Sequence, residues 1–410
     1  MRVRNWLLER ARLCGGDEAL RLGERRLDFQ EPADLSLRGA GHLRRWGVQS
    51  GDLVAVLLGN GLDFVQLIHA VSLCGARLLP LNARLTSEEL ATQLRVSQAT
   101  HLVYGSGDLA ERARAASRER AASWELPALR SASFDSAFED RSLPESTDRG
   151  QDAPLSERVD LGDVFAVLFT SGTSAAPKGV CLTHGNFHAS AFAAALHLEL
   201  RRDDWWLACL PLFHVGGLSI LMRNVLLGSP VLIHERFEPE WVSAAIDEGV
   251  THVSLVPTML GRLLEVRGDR PAPASLRGIL LGGAAAPPLL LERARELGFR
   301  VLPSYGLTEA CSQVATCAPA DPETATDPIG SVGRALFGTE IRIADACGHP
   351  LPPGREGEIL VRGPTVMAGY LHDAEGTSRA LQDGWLRTGD VGALDSTGRL
   401  RMLDRRADLI

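Results

Sequence analysis

Short apolar runs alternate with longer amphipathic segments along the first part of the chain. Residues 53–58 and 101–104 are continuous apolar runs that predict buried strands, while the spacing of apolar positions in 32–46 and 63–75 predicts helices. Thr86 is followed by acidic residues suited to capping, so a further helix is expected to begin there. Strands that alternate with helices in this way are typical of a mostly parallel sheet.

The alternation fades from about residue 111 to 158, where Arg, Ser, Ala and Glu dominate, and a charged helix followed by a solvated connector is expected. It returns from 163 to about 303, with strands predicted at 231–233 and 252–256. No internal repeat is visible in the amino-acid sequence. Beyond about residue 330, short alternating strands separated by Gly and Pro predict a β-rich subdomain. The predicted divisions are a first α/β subdomain (1–160), a second α/β subdomain (161–329), the β-rich subdomain (330–403) and a short final segment (404–410).

The composition restricts the classes of function. The chain has 410 residues, of which 45% are hydrophobic and 23% are charged. Its formal net charge of −8 argues against a nucleic-acid-binding surface. The seven cysteines form no C-x-x-C pair and most lie in apolar runs, so reduced, buried thiols in a cytoplasmic protein are expected. The sequence predicts no signal peptide and no membrane span, and hence no membrane partner.

Residues 170–180 carry the densest group of chemically active side chains and read T-S-G-T-S-A-A-P-K-G-V. Apolar runs on both sides predict a strand, a mobile loop and a second strand. Backbone N–H groups and hydroxyls of such a loop can donate to polyphosphate oxygens, and Lys178 supplies positive charge. The loop is not a Walker loop, because Pro177 precedes the lysine and no Ser or Thr follows it. The alternative is a surface hairpin rich in small residues.

Three further segments place chemical groups at predicted strand ends. Residues 304–309, S-Y-G-L-T-E, offer a ring, a hydroxyl and a carboxylate that suit stacking on adenine, contact with a phosphate and holding Mg²⁺. The small residues of 282–287, G-G-A-A-A-P, let a planar base lie against the backbone. Asp390, in T-G-D, can accept hydrogen bonds from both hydroxyls of a ribose. The alternatives are a loop with an exposed acid, a strand-to-helix turn and a turn aspartate, respectively.

Taken together, in this order and spacing, these segments resemble the adenylate-forming superfamily, which includes acyl-CoA synthetases. Its phosphate loop reads roughly T-S-G-T-T-G-x-P-K-G, whereas here Ser174 replaces the second Thr and Ala175 stands where Gly is usual. The resemblance implies ATP and Mg²⁺ as ligands and coenzyme A as co-substrate. The residues that it implies for the phosphates are Thr170, Ser171, Gly172, Thr173, Ser174 and Lys178, with Thr308 and Glu309 as further catalytic residues and Glu309 as the metal ligand. Those that it implies for adenine and ribose are Gly283, Ala284, Ala285, Ser304, Tyr305, Gly306, Asp390 and Arg405.

Residues 404–410, D-R-R-A-D-L-I, resemble the hinge of the superfamily, in which the first arginine contacts ribose. Members of the superfamily continue with a small C-terminal domain, which carries a lysine needed for adenylation and part of the thioester-forming site. Because the sequence stops at Ile410, the resemblance implies a large N-terminal domain whose ligase activity is expected to be impaired in this form.

The stretch 210–225, L-P-L-F-H-V-G-G-L-S-I-L-M-R-N-V, distinguishes between members of the superfamily. Pro-Leu-Phe-His is common in acyl-CoA synthetases, where the residue matching His214 gates the acyl pocket. Arg223 is the only charged residue between His214 and His234, so a cation that suits a second substrate carboxylate lies in an otherwise apolar wall. The alternative is an arginine that snorkels to solvent or pairs with a structural acid.

This stretch, together with 254–258 and 308–313, resembles the o-succinylbenzoate–CoA ligases of menaquinone biosynthesis. The resemblance implies that the acid is bound by His214, Arg223, Gly282 and Ser312, and that His214 also acts in catalysis. It further implies an α/β fold with two mostly parallel sheets flanked by helices, plus the β-rich subdomain.

The expected function is adenylation of o-succinylbenzoate with release of pyrophosphate, followed in the full-length enzyme by formation of the CoA thioester. Catalysis of this kind depends mainly on electrostatic stabilisation and positioning. The expected partners are the acid, ATP and CoA, with no nucleic acid and with a homodimer as the candidate assembly. Two alternatives stay open: another aryl- or acyl-CoA ligase of the superfamily, and a nucleotide-binding module without ligase activity.

Overall fold

The computed structural model describes residues 1–121, 129–134, 155–170, 177–319 and 330–405 of the chain. The chain divides into two compact units, which are described one at a time. The first unit comprises Met1–His184, Pro211–His214 and Tyr370–His372, and the second comprises Gly185–Leu210, Val215–Gly369 and Asp373–Ile410. No helix within the described ranges combines the length and the apolar character that a membrane span requires.

The helices of the first unit agree with the predicted pattern. They are α1 (Trp6–Cys14), α2 (Gln30–Arg45), α3 (Leu62–Leu73), α4 (Ser87–Ser97) and α5 (Asp108–Ala121). The capping predicted at Thr86 is formed, because its hydroxyl accepts a hydrogen bond from the backbone N–H of Glu89, and the Glu89 carboxylate accepts one from the N–H of Thr86. The charged helix predicted from residue 111 corresponds to α5, and most of the predicted connector lies outside the described residues.

The strands of the first unit are β1 (Arg2–Arg4), β2 (Glu18–Leu22), β3 (Arg25–Asp28), β4 (Leu53–Leu57), β5 (Arg77–Pro80), β6 (His101–Tyr104), β7 (Arg130–Ser133), β8 (Arg158–Asp160), β9 (Val164–Thr170) and β10 (Lys178–Thr183). Strands β9, β5, β4, β6 and β7 lie side by side in this order and run parallel. All five residues of β4 are buried, as expected for a strand covered on both faces. β10 folds back antiparallel on β9, so the hairpin between them carries the predicted phosphate loop.

The helices of the second unit are α6 (His184–His197, apart from its first residue), α7 (Val215–Leu227), α8 (Pro239–Asp247), α9 (Pro257–Arg267), α10 (Pro288–Glu296) and α11 (Ala374–Ala380). Its strands are β11 (Trp206–Ala208), β12 (Val231–Ile233), β13 (His252–Leu255), β14 (Gly278–Leu281), β15 (Val301–Leu307), β16 (Ser312–Thr316), β17 (Ser331–Ala335), β18 (Glu340–Ala344), β19 (Gly357–Arg362), β20 (Gly369–Tyr370, whose second residue belongs to the first unit), β21 (Leu381–Gln382), β22 (Trp385–Leu394) and β23 (Arg399–Arg405).

The second unit combines a parallel and an antiparallel region. Strands β12, β11, β13, β14 and β15 are parallel neighbours in this order. The antiparallel strands β16, β17, β23, β22, β19 and β18 follow in the same sheet. The prediction of an α/β fold with additional β structure is therefore confirmed, but the sheet of the second unit is mixed and not mostly parallel, because the added β structure continues it.

The two units share one arrangement of strands, although no internal repeat is visible in the amino-acid sequence. The chain order β4, β5, β6, β7 gives the spatial order β5-β4-β6-β7, and β11, β12, β13, β14 give β12-β11-β13-β14. In both sets the third strand begins with a histidine that follows a threonine. Nδ1 of His101 lies 3.7 Å from the Asp52 carboxylate, and Nδ1 of His252 lies 3.8 Å from that of Asp204. The repeat lies in the order of the strands, so comparison of the amino-acid sequences of the two units does not detect it.

Candidate active site

The flanks of the predicted phosphate loop form a hairpin in the first unit. Thr170 ends β9 and pairs in register with Lys178, the first residue of β10. Both residues are half-buried, whereas Val180 and Leu182 further along β10 are buried. The hairpin thus fixes the two ends of the loop next to each other. The loop residues Ser171, Gly172, Thr173 and Ser174 lie outside the described residues.

Lys178 lies against an aromatic ring that the sequence analysis missed. Its ammonium nitrogen is 5.1 Å from the ring centroid of Tyr370, a cation–π distance. Within the described residues Lys178 takes part in no ion pair. It is also the only lysine in the sequence, and the remaining residues of the Lys and Arg total are all arginines. A half-buried cation without an acidic partner is suited to binding an anion.

His214, the predicted gate residue, also belongs to the first unit. Its ring is exposed but packs on the buried ring of Phe213, with 4.5 Å between the ring centroids. Desolvation, and then the positive charge of Arg84, lower the pKa of His214 below its ordinary value. The imidazole is therefore neutral at neutral pH. The sequence analysis assigned no role to Phe213 or to Arg84. The effect of Arg84 could not be found from the sequence, because Arg84 is distant from His214 along the chain.

In the second unit, two of the predicted nucleotide segments meet at the ends of neighbouring parallel strands. Gly282 follows β14, and Ser304 lies in β15. A Cβ atom on Gly282 would lie 3.3 Å from the carbonyl oxygen of Ser304, so a side chain fits poorly there. Gly283, with φ of +85°, and the residues Ala284 and Ala285 follow at exposed positions. This backbone is accessible to a flat ligand.

Tyr305 and Asp390, predicted separately for adenine and ribose, are joined by a hydrogen bond. The Tyr305 hydroxyl donates to Oδ2 of Asp390 at 2.7 Å. Burial, and then the negative charge of Asp390, raise the pKa of Tyr305, so the phenol remains a donor. The backbone N–H of Asp390 donates to the hydroxyl of Thr388, which itself donates to the carbonyl of Ile359. The backbone of Arg405 pairs with Asp390 between β22 and β23, while the Arg405 side chain lies outside the described part of the chain.

Thr308 and Glu309 lie in a single 3₁₀ turn, Thr308–Ala310, between β15 and β16. Both are half-buried, and the carbonyl of Glu309 accepts a hydrogen bond from the N–H of Met367 at 2.8 Å. This turn holds a carboxylate and a hydroxyl side by side at the end of a strand.

The chain leaves this turn through a strained backbone. Cys311 and Ser312 have φ values of +51° and +91°, a region that non-glycine residues adopt only at a cost. The Ser190 hydroxyl donates to the carbonyl of Cys311 at 2.7 Å and stabilises this conformation. On the neighbouring strand β15, a Cβ atom on Gly306 would collide with the carbonyl of Ser312. Gly306 therefore has a steric reason to lack a side chain.

Arg223 lies on α7 and is only 2% exposed. Its guanidinium carbon is 4.4 Å from the ring centroid of Trp206. Nε and Nη1 have no hydrogen-bond partner among the described residues, and no described carboxylate lies within ion-pair distance. Burial lowers the pKa of Arg223 to about 10, so the side chain is still a cation at neutral pH. The guanidinium thus neither reaches solvent nor pairs with a described acid.

Polar groups without charge lie close to Arg223. Ser219, one helical turn earlier on the same face of α7, has its hydroxyl 3.5 Å from that of Ser312. Burial raises the pKa of the Cys311 thiol and lowers that of His252, so both are neutral. Arg223 is therefore a buried cation that has hydroxyl groups nearby and no acidic partner among the described residues. Ser219 and Trp206 were missed from the sequence, although Ser219 could have been found from its i, i+4 spacing to Arg223.

Comparison with known proteins agrees with these observations. The sequence matches the profile of the AMP-binding enzyme family over residues 7–371. A 2-succinylbenzoate–CoA ligase of Bacillus cereus is 39% identical over 407 residues, which are 99% of this chain and 79% of that protein.

Solved structures of o-succinylbenzoate coenzyme A synthetase from Bacillus subtilis are similar as well. The complex with the acyl-adenylate intermediate has a TM-score of 0.89 at 36% identity, covering 100% of this chain and 79% of that chain. The complex with ATP and magnesium ion has a TM-score of 0.90 at 36% identity, covering 100% of this chain and 81% of that chain.

Proposed function

This chain belongs to the AMP-binding enzyme family, and we propose that it is an AMP-forming acid–CoA ligase acting on 2-succinylbenzoate. In the first step a carboxylate of the acid attacks the α-phosphorus of ATP, and pyrophosphate leaves. In the second step the thiol of coenzyme A attacks the acyl carbon, and AMP leaves. The relatives named for this acid support the assignment, and the buried, unpaired Arg223 is the observation that carries it.

The proposed role of Lys178 is to hold the β- and γ-phosphates of ATP. A cation that lacks an acidic partner among the described residues can pair with phosphate oxygens, and this pairing strengthens as negative charge develops on the leaving pyrophosphate. The proposed hydrogen-bond donors of the same loop are Thr170, Ser171, Gly172, Thr173 and Ser174.

Thr308 and Glu309 are proposed to act at the α-phosphate and at Mg²⁺, respectively. A carboxylate oxygen is the donor that Mg²⁺ prefers, so Glu309 fits the ion chemically. When bound, the ion neutralises charge on the phosphate oxygens. The strained turn that follows Glu309 fixes the backbone from which both side chains extend.

Adenine is proposed to lie along the exposed backbone of Gly283, Ala284 and Ala285, with Ser304, Tyr305 and Gly306 as further contacts. Asp390 is proposed to accept hydrogen bonds from ribose, assisted by Arg405. The hydrogen bond from the Tyr305 hydroxyl gives Tyr305 a second role, because it fixes the orientation of the Asp390 carboxylate before the nucleotide binds.

The proposed partner of Arg223 is the second carboxylate of the acid, the one that is not activated. A buried guanidinium without a partner is costly, and a substrate carboxylate removes that cost while the hydroxyls of Ser219 and Ser312 supply further donors. Gly282 is proposed as an additional acid contact. An acid with a single carboxylate would leave Arg223 unpaired, so we expect discrimination against plain aryl acids.

His214 is proposed to line the path of the coenzyme A thiol to the acyl adenylate. Because its pKa is lowered, the ring is neutral and can accept a proton or rotate aside without the cost of moving a charge.

The proposed setting is menaquinone biosynthesis in the cytoplasm. All seven cysteines are free, which suits a reducing compartment. A homodimer stays a prediction.

The function is tested by ATP–pyrophosphate exchange with the complete protein across a panel of acids. 2-Succinylbenzoate should support the fastest exchange, well above benzoate and above a fatty acid. A higher rate with another acid would favour a different ligase of the family. ATP binding without exchange for any acid would favour a non-catalytic nucleotide-binding module.

A further inference from the structure

The turn between β18 and β19 reads Asp345-Ala346-Cys347-Gly348-His349 and has a backbone fixed by its aspartate. Oδ1 of Asp345 accepts hydrogen bonds from the N–H groups of Cys347 and His349, both at 2.9 Å. The N–H of Asp345 donates to the carbonyl of His349 at 2.9 Å, and Gly348 has φ of +87°. The turn is therefore a closed, well-defined loop.

A second turn in the same unit has the same backbone and shows which residues this backbone needs. In Asp395-Ser396-Thr397-Gly398-Arg399, Oδ1 of Asp395 accepts from the N–H groups of Thr397 at 2.8 Å and Arg399 at 2.9 Å. Gly398 has φ of +81°. The turn thus requires the aspartate and the glycine, but it accepts threonine and arginine at the other two positions. Cys347 and His349 are not explained by turn formation.

These two side chains bring a thiol and an imidazole to the aspartate. A carboxylate oxygen of Asp345, Sγ of Cys347 and a ring nitrogen of His349 all lie within 4.8 Å of one another. Oδ2 of Asp345 is 3.4 Å from Nδ1 of His349, about the separation of two light ligand atoms around a tetrahedral zinc ion. The side chains of Cys347 and His349 are exposed, so small side-chain rotations can bring Sγ of Cys347 to a third position of the same tetrahedron. Cys347 is also the one exposed cysteine of the seven.

We propose that Asp345, Cys347 and His349 form a binding site for Zn²⁺, with water as the fourth ligand. The thiolate and imidazole select zinc over Mg²⁺, which prefers oxygen ligands and an octahedral arrangement. Because a metal-bound thiol loses its proton, the affinity for Zn²⁺ should rise with pH. The residues assigned above to ATP, the acid and CoA do not include this turn, so the site is separate from the proposed ligase chemistry.

The site is tested by titrating tag-free, chelator-treated protein with Zn²⁺ against a chromophoric competitor. Wild type should bind one Zn²⁺. Cys347→Ser and His349→Gln should each bind Zn²⁺ at least about tenfold more weakly than wild type. With Co²⁺ in place of Zn²⁺, wild type should show a thiolate charge-transfer band that Cys347→Ser lacks. Excess Mg²⁺ should not displace the Zn²⁺.

Two matched variants serve as controls. Cys14→Ser removes a half-buried thiol elsewhere, and Thr397→Ala alters the equivalent position of the second turn. Both should bind Zn²⁺ as wild type does. Unchanged circular dichroism and thermal unfolding will show that the variants at exposed positions are folded. The proposal is overturned if Cys347→Ser and His349→Gln bind Zn²⁺ as tightly as wild type, or if Cys14→Ser weakens binding equally.

Discussion

At the scale of single residues, the proposed chemistry uses two cations that face aromatic rings instead of acids. Lys178 lies 5.1 Å from the ring centroid of Tyr370, and Arg223 lies 4.4 Å from that of Trp206. A cation–π contact recovers about 0.5–2 kcal/mol, which is less than the cost of removing a full charge from water. Each cation therefore retains a strong preference for an anionic ligand.

Lys178→Ala should weaken ATP binding by about 1.5–3 kcal/mol, because a charge-assisted contact to phosphate is lost. Isothermal titration calorimetry with ATP measures this, and Lys178→Arg should restore part of the affinity because it keeps the charge. Since Lys178 is the only lysine among residues 1–410, an amine-reactive label should modify, within these residues, only this side chain and the amine of Met1. ATP should protect Lys178 alone, and equal labelling with and without ATP would refute the assignment.

Arg223→Ala should reduce the preference for 2-succinylbenzoate over benzoate by about 2–5 kcal/mol, because the second carboxylate loses its buried partner. Arg223→Lys should restore only part of this preference, since an ammonium cannot make a two-pronged contact. The ratio of kcat/KM for the two acids is the measurement, and the ATP affinity should stay unchanged.

The matched control for this series is Arg236→Ala. Arg236 also lies over a tryptophan ring, that of Trp241, but it is exposed and paired with Glu238. Arg236→Ala should leave the preference for 2-succinylbenzoate over benzoate as in wild type. An Arg223→Ala enzyme that keeps the wild-type preference would contradict the proposed role.

Both cations were proposed from the sequence, but their surroundings could not be. Lys178 follows from a local motif, and Arg223 from its isolation in an apolar run. Tyr370 and Trp206 are distant from them along the chain, so the contacts exist only after folding. The same holds for Arg84, whose charge acts on His214.

At the scale of elements, the segment from β15 through the 3₁₀ turn to β16 holds five of the residues proposed for the nucleotide, namely Ser304, Tyr305, Gly306, Thr308 and Glu309. The strand and its end were predicted from the apolar run and the following polar motif. The left-handed residues Cys311 and Ser312 were not predicted, because neither is a residue that usually adopts positive φ. Their conformation depends on tertiary support, such as the hydrogen bond from Ser190.

Gly306→Ala should destabilise the protein by about 1–3 kcal/mol, because a Cβ atom would force the carbonyl of Ser312 to move. ATP affinity should fall as well, since the displaced backbone carries the segment proposed to bind the nucleotide. Gly41→Ala is the matched control: Gly41 lies within α2 with open space around its Cβ direction, and alanine there should raise stability by up to about 1 kcal/mol. Urea unfolding measures both, and equal stability for the two variants would show that Gly306 has no steric role.

At the scale of the whole chain, helix and strand types were predictable because burial on both faces leaves continuous apolar runs. The common strand order of the two units was not, because pairing partners such as β4 and β6 are separated by an entire helix–strand–helix segment. The continuation of the parallel strands of the second unit into antiparallel β16 and β17 was likewise not predictable. Such long-range pairing leaves no local pattern.

Buried histidines give the whole chain a dependence on pH. Burial lowers the pKa of His69 and of His184 to about 4 from an ordinary value of 6.5, and it lowers that of His252 as well. The unfolded chain therefore binds protons below pH 6.5 that the folded chain does not bind until about pH 4. The stability from these groups is fully present above pH 6.5 and is lost as the pH falls toward 4.

The free energy of unfolding should thus decrease between pH 6.5 and pH 4, by up to about 3 kcal/mol for each of His69 and His184. His69→Gln removes one titrating group, so its stability should decrease less steeply than that of wild type across this window, even if it is lower at pH 7.5. Urea unfolding at about pH 7.5, 6, 5 and 4.5, in the presence of chelator, measures the slope. His349→Gln, at an exposed position, is the control and should keep the wild-type slope. If His69→Gln has the same slope as wild type, folding does not lower the pKa of His69, and the acid sensitivity must arise from other groups.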